Sequence, residues 1–343
     1  MEAKHDSTTP FAPRILASKR YRWTTALLFT ILLFYLHTHD FSHHQSTRPS
    51  DSHSSTRVDW SQFAYTQYVT NSEYLCNSVM FFEALNRLGS RADRVLMYPA
   101  GMWNDNLRLS IDTRLLIKAR DEYNVKLVPI KIQRKEEAEF TWADSYTKFL
   151  AFNQTQYNRV LSIDSDVVLL QNMDELFLLP PAPVAMPRAY WLLPNDTLSS
   201  QVMLIQPSKT EFARIMDAVE SSSITEYDME IANNLYRDKA LILPHRPYDL
   251  ITGEFRRDTH NNYLGSETEL WDPVAVLNEA KLVHFSDWPL PKPWQAPDTL
   301  RLEHQPNCTT SLDGTEDCAA RVIWNSLYSG FKAKRKASYI YTF

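Results

Sequence analysis

Arg159-Val-Leu-Ser-Ile-Asp-Ser-Asp-Val-Val-Leu-Leu170 is the stretch from which the fold can be read. Residues 159–163 form a short apolar run of strand length. Asp164 and Asp166 follow at i and i+2, and the apolar pattern resumes over 167–170. In extended chain, residues two apart point to one side. Two carboxylates aimed at one point repel, and each is costly to bury unpaired. A divalent cation removes that cost, because Mn²⁺ and Mg²⁺ take oxygen ligands and bridge carboxylates to phosphate oxygens. A bound diphosphate would complete such a coordination shell. The plainer reading is a loop with two solvated aspartates. Asp164-Ser165-Asp166 is the only Asp-x-Asp in the chain, and it sits at a strand end.

On either side of this stretch, strands alternate with helices. Strands are predicted over 63–69, 94–98, 125–130, 159–163 and 167–170, and helices over 72–88 (ended by Gly89), 107–123 and 141–152. Strands separated by helices of about a dozen residues imply βαβ units and a parallel sheet. Ligands of such sheets bind at the carboxyl ends of the strands. That directs attention to Thr70-Asn71, Pro99-Ala100 and Asp164-Ser165-Asp166. Beyond residue 180 prolines are more frequent and the strands shorter, at 202–206, 240–243 and 282–285; this half is expected to build the acceptor side of the same site. No internal repeat is present.

Composition narrows the function classes. The chain has 343 residues, 44% hydrophobic and 22% charged, as expected of a folded globular protein. Its net charge of −5 argues against a nucleic-acid binder. The six glycines, at 89, 101, 253, 265, 314 and 330, are too far apart for either glycine-rich phosphate loop. Three cysteines, Cys76, Cys308 and Cys318, exclude a four-cysteine zinc site.

The amino-terminal region divides into a tail over 1–22, an uncharged apolar segment over 23–36 (WTTALLFTILLFYL) and a polar stem over 37–57, ahead of a folded body over 58–343. Fourteen residues are short for a span that normally takes about 20, but short spans suit thin early-secretory membranes. Arg14, Lys19, Arg20 and Arg22 precede the segment, so the basic flank stays cytosolic and the body is lumenal, as in a single-pass type II protein. A cleaved signal peptide is the rival reading, though no small-x-small cleavage site follows. Sequons at Asn153, Asn195 and Asn307 agree with a lumenal body. Cys308 and Cys318 flank the turn pair Asp313-Gly314 and are expected to form a disulfide, the alternative being two free thiols. Cys76 lies in an apolar stretch and reads as a buried thiol. Five of the ten histidines fall in the stem with irregular spacing, which reads as flexible chain rather than a metal tract.

In the body, Lys281-Leu-Val-His-Phe-Ser-Asp-Trp-Pro-Leu-Pro-Lys-Pro-Trp294 sets His284 at the end of an apolar run. A neutral imidazole there is a candidate third metal ligand, and one that suits Mn²⁺ better than Mg²⁺; a satisfied core histidine is the alternative. Lys292 lies among prolines that fix the backbone, which lowers the entropy lost in ordering it against a phosphate. Lys148, about one turn before Phe152, is a second candidate phosphate contact, or else a surface lysine.

Together these segments resemble the glycogenin-like glycosyltransferases, family 8 of the sugar-nucleotide transferases, over roughly residues 63–294. YVTNSEY resembles the family's uridine-contacting segment, which implies roles for Thr70, Asn71 and Tyr74. YTKFLAF gives Lys148 as a phosphate contact. SIDSDVVLLQNMDELF resembles the signature Asp-x-Asp with its following segment, giving Asp164 and Asp166 as metal ligands, Ser165 beside the nucleotide, and Asp174-Glu175-Leu176-Phe177. HFSDWPLPKPW gives His284 as metal ligand and Lys292 as phosphate contact. YDMEIANNLY places Asp228 near the donor sugar. Two departures stand out: Ser199-Ser200-Gln201 replaces the family's Asn-Ser-Gly lead-in, and Met229 follows Asp228 where the family has Gln. The stretch GTEDCAARVIWNSLYSGF and the anchor resemble a fungal membrane-anchored subgroup labelled N-acetylglucosaminyltransferase or glucose N-acetyltransferase.

The resemblance implies a GT-A-like nucleotide-diphospho-sugar transferase fold: an α/β body with a mostly parallel central sheet and helices on both faces. It implies metal-dependent (Mn²⁺ or Mg²⁺) transfer of GlcNAc or glucose, with retention, from a UDP-sugar to a hydroxyl of a glycoprotein or glycolipid glycan, in the Golgi membrane. Asp228 and Gln201 are candidates for stabilising an oxocarbenium-like state. Two other classes fit less of the sequence. A non-catalytic lumenal glycan- or nucleotide-binding protein would not need the metal set. A metal-dependent hydrolase usually needs a second metal cluster or a positioned base.

Overall fold

The structure is a computed structural model in which the described residues are 57–104, 110–135, 143–310 and 314–340. The expected tail and anchor, and the stem up to residue 56, lie outside them. The body forms one unit, Val58–Phe343. Among the described residues no helix is long and apolar enough to cross a membrane.

In chain order the main elements are β1 (Phe63–Tyr68), α1 (Ser72–Arg87), β2 (Asp93–Pro99), α2 (Ile111–Tyr123), β3 (Val125–Ile130), β4 (Arg159–Ile163), β5 (Val167–Leu169), β6 (Val184–Pro187), β7 (Val202–Ile205), α3 (Lys209–Ser221), α4 (Asp228–Tyr236), β8 (Leu241–Leu243), β9 (Leu250–Ile251), β10 (Leu282–His284) and α5 (Ala319–Ile340). Local chemistry sets several of these boundaries. The Asn71 side chain accepts from the backbone N–H of Glu73 and Tyr74 and so starts α1. Gly89, at φ +69°, takes the left-handed conformation just past its end. Ser110 caps α2, and Asn124 ends it at φ 54°.

The central sheet has the order β3-β2-β1-β4-β7-β6-β8. Its first four strands are parallel. The edge strand β3 carries Pro129, whose missing N–H is tolerated there. Side chains alternate across the sheet. Tyr65, Leu96 and Leu161 pack with Leu75, Phe82, Leu115 and Trp324 of α1, α2 and α5 on one face. Ala64, Val95 and Val160 pack with Phe149, Phe152, Ile215 and Ile231 on the other. Helices therefore cover both faces, as expected.

Three expectations are corrected. The run at 167–170 does not continue the central sheet; it forms β5 of a separate three-stranded sheet, β5-β10-β9. The acidic break bends the chain out of the main sheet, because both carboxylates and the backbone between them serve the site rather than the ladder. The central sheet is mostly parallel, as expected, with β7 alone reversed, antiparallel to both β4 and β6. The segment expected as a helix over 141–152 is a 3₁₀ helix, Ser145–Asn153, with 141–142 outside the described residues. The helix expected from 107 begins at Ile111, with 107–109 likewise outside.

Asp174, taken from the sequence as part of the signature, is a structural residue. It is buried and accepts hydrogen bonds from Tyr65 (3.0 Å), Ser90 (3.0 Å) and the Arg91 backbone (2.9 Å), tying β1 to the loop before β2. Asp174→Ala would strand these donors. A destabilisation of about 3 kcal/mol is expected, read by urea unfolding of the full chain; a loss below about 1 kcal/mol would show that the donors find other partners.

Candidate functional site

The topology is what gathers the site. Because β7 runs antiparallel to β4, with Ile163 opposite Val202, the residues before β7 meet the residues after β4. The Asp164 N–H donates to the Gln201 carbonyl at 3.1 Å. On the other side, β5 pairs antiparallel with β10, with Val167 opposite His284. The Phe285 N–H donates to the Asp166 carbonyl at 3.0 Å and extends this pairing to the acidic turn. Gln67 of β1 holds the Asp164 carbonyl through its side chain at 3.0 Å. Asp164-Ser165-Asp166 is thus pinned by three strands from two sheets.

The side chains form two charge clusters. In the first, the buried Lys148 ammonium lies 2.6 Å from Asp228, donates to Asp164 Oδ2 at 3.2 Å and to the Ser200 carbonyl at 3.1 Å. The Ser200 hydroxyl donates to Asp228 at 2.6 Å. Burial alone would lower the Lys148 pKa, but Asp164 and Asp228 outweigh it and raise it above its ordinary value. Burial works to neutralise Asp228 also; Lys148 and Ser200 more than reverse this, and its carboxyl is held below the usual range. In the second cluster, Asp166 lies 3.1 Å from His284 Nε2 and 2.6 Å from the Lys292 ammonium. Those two groups overcome the burial of Asp166 and keep it ionised. For Asp164 burial prevails over Lys148, and its pKa is raised.

Donor atoms of Asp164, Asp166 and His284 lie within 4.8 Å of one another. Asp164 Oδ1 sits 3.1 Å from Lys148 but outside hydrogen-bond geometry, so a buried carboxylate oxygen is left without a hydrogen bond. Two carboxylates and one imidazole, with that oxygen unsatisfied, fit a divalent cation of the Mn²⁺ or Mg²⁺ type.

A cavity of about 520 Å³ opens over this centre. Thr70, Tyr74, Lys148, Asp164, Ser165, Asp166, Gln201, Asp228, His284 and Lys292 all line it. Asn71 does not; its side-chain oxygen caps α1. Pro99 and Ala100, at the end of β2, also lie away from it. The ammonium of Lys148 is committed to carboxylates and a carbonyl, not held out on the surface. Gln201 Oε1 is buried with no hydrogen bond. Sequence reasoning missed Gln67, Asp249 and Asp287, and singled out Ser200 only as part of a departure from the family pattern. For Gln67 a signal existed: a polar residue within an otherwise buried strand.

Asp249 precedes β9 and is completely buried. No hydrogen bond of good geometry reaches either carboxylate oxygen, and the Ser199 hydroxyl offsets burial only in part. Burial pushes its carboxyl up to about 7. A folded state that holds a proton the unfolded chain has released is favoured at low pH. Stability from this group should therefore fall as pH rises from about 4 to 7, by up to about 4 kcal/mol. Asp249→Asn should flatten that part of the pH–stability curve in metal-free protein; an unchanged slope would show that Asp249 is ionised throughout.

No family model matches the chain. It is 59% identical over 285 residues to glucose N-acetyltransferase 1 of Gibberella zeae, a match covering 81% of this chain and 63% of that protein. It is 50% identical over 302 residues to glucose N-acetyltransferase 1 of Aspergillus fumigatus, covering 82% of this chain and 78% of that one. The fold matches the apo structure of the bifunctional glycosyltransferase WbbM with a TM-score of 0.51 at 14% identity, over 82% of this chain and 52% of the other. That fold is GT-A-like. On the extent of these sequence matches, the chain belongs to the glucose N-acetyltransferase 1 family.

Proposed function

We propose that this protein transfers GlcNAc, or glucose, from a UDP-sugar to a hydroxyl of a glycoprotein or glycolipid glycan, with Mn²⁺ or Mg²⁺ bound by Asp164, Asp166 and His284. One observation carries the reading: those three ligands and the Lys292 ammonium converge on the wall of a single cavity. The relatives' name joins glucose with an N-acetyl group. We read it as transfer of the N-acetylated glucose unit, because an acidic metal centre beside a lysine suits a diphosphate leaving group.

A bound divalent ion supplies Lewis-acid stabilisation of the departing diphosphate. Lys292, one-third exposed, adds a second positive charge on the phosphate side. Lys148 acts by holding Asp164 and Asp228, in place of the direct phosphate contact that the resemblance implies. Asp228, kept ionised, accepts from hydroxyls of the donor sugar. The unsatisfied side-chain amide oxygen of Gln201, Oε1, offers electron density to a centre gaining positive charge, and is the group we assign to oxocarbenium stabilisation. Thr70 and Tyr74 line the uridine end, and Ser165 lies between the metal ligands.

The same proposal puts the body in the Golgi lumen, anchored through 23–36. The apolar segment with its basic flank supports this, as do the Cys308–Cys318 disulfide and the exposure of Asn153, Asn195 and Asn307. Cys76 is buried.

Thermal unfolding of the full chain with UDP-sugars, in Mn²⁺ or EDTA, tests the site. A ligand at about 100 times its dissociation constant should add about 2.7 kcal/mol. The gain is expected to require Mn²⁺, to disappear in Asp166→Asn, and to be accompanied by sugar transfer to a glycan acceptor. Stabilisation without transfer would leave a nucleotide-binding protein; release of free sugar alone would make it a hydrolase.

A further inference from the structure

The segment that carries Lys292 has little regular structure of its own. Its position is set by Asp287, which is buried and spent entirely inside the protein. Asp287 accepts from Trp324 Nε1 at 3.1 Å, from the Tyr328 hydroxyl at 2.7 Å and from the Thr252 hydroxyl, with Arg256 3.5 Å away. The Leu290 N–H donates to the Asp287 carbonyl at 2.9 Å and closes the following turn. Beneath it, Gly253 approaches so closely that a Cβ there would lie 2.5 Å from the Ser286 carbonyl oxygen.

Trp324 and Tyr328 belong to α5, and their spacing continues to Phe331 and Arg335 along one helical face. Phe331 packs on Phe285 and Trp294, with ring centres 4.9 and 5.8 Å away. Arg335 lies 5.3 Å from the centre of the Trp294 ring and donates to the Glu73 carbonyl at 2.6 Å and to Asn77. Trp294 donates to the Glu73 carboxylate at 3.0 Å and meets Tyr74 edge-on at 5.6 Å. One face of one helix therefore grips both walls of the cavity: the Lys292 loop at its start, and the α1 terminus bearing Tyr74 toward its end.

We propose that α5 is a clasp that fixes the distance between the Tyr74 wall and the Lys292 wall, and so sets affinity for the diphosphate of a nucleoside diphosphate. Asp287, Trp324, Tyr328 and Arg335 are positioning residues, since none of them lines the cavity. The inference rests on the nucleotide reading above. Tyr328→Phe removes one hydroxyl and keeps the ring. In the full chain with Mn²⁺, it should weaken UDP binding five- to tenfold and UMP binding by less than twofold, because the loop it releases faces the second phosphate. Arg335→Gln, which loosens the other wall, should weaken UDP and UMP equally. If Tyr328→Phe does not fold, Trp324→Phe removes the other donor from α5 and is held to the same result. Lowered thermal stability with UDP affinity unchanged would reduce α5 to a packing element and overturn the proposal. Absence of UDP binding by the unaltered protein would instead sink the nucleotide reading on which it stands.

Discussion

The site depends on one electrostatic constraint: the buried carboxylates of Asp166 and Asp228 and the partly buried carboxylate of Asp164 meet around a single cavity, where charge is costly without a partner. Lys148 answers two of them from inside the protein; Lys292 and His284 answer the third from the cavity wall. The two lysines are not equivalent. Lys148 is enclosed, with its ammonium saturated by fixed oxygens, so it acts as a permanent countercharge. Lys292 is partly exposed on a loop and retains reach into the cavity. This division leaves Asp164 with one oxygen unsatisfied and Asp166 held charged, an arrangement that a cation would complete.

The mixed character of the sheet follows from the same requirement. An all-parallel sheet would bring only strand ends to the site, each followed by a loop leading away. Reversing β7 lets Ser200 and Gln201 enter the site from the start of a strand rather than the end of one. Diverting β5 into a second sheet lets His284 arrive on a paired neighbour, its position set by ladder hydrogen bonds. Metal-ligand geometry tolerates errors of only a few tenths of an ångström, and register supplies that precision better than a free loop does. The Lys292 loop lacks such a ladder and is held by a buried carboxylate and a helix face instead.

The amino-acid sequence by itself determined the strand–helix alternation to β4, because burial of apolar runs at strand and helix periods is a local property. It also drew attention to the acidic pair, His284 and Lys292, since Asp-x-Asp after an apolar strand and a lysine among prolines are patterns of neighbours in the chain; Tyr74, Gln201 and Asp228, which also line the cavity, are singled out through the family resemblance alone. Only the tertiary structure decided that Asn71 serves the backbone of α1, that Asp174 serves the core, and that Lys148 faces carboxylates. The reversal of β7, the second sheet and the grip of α5 on Asp287 likewise rest on pairings between residues far apart in the chain. Such pairings are chosen by the summed packing and hydrogen bonding of the whole body, and a short sequence window carries no record of that sum.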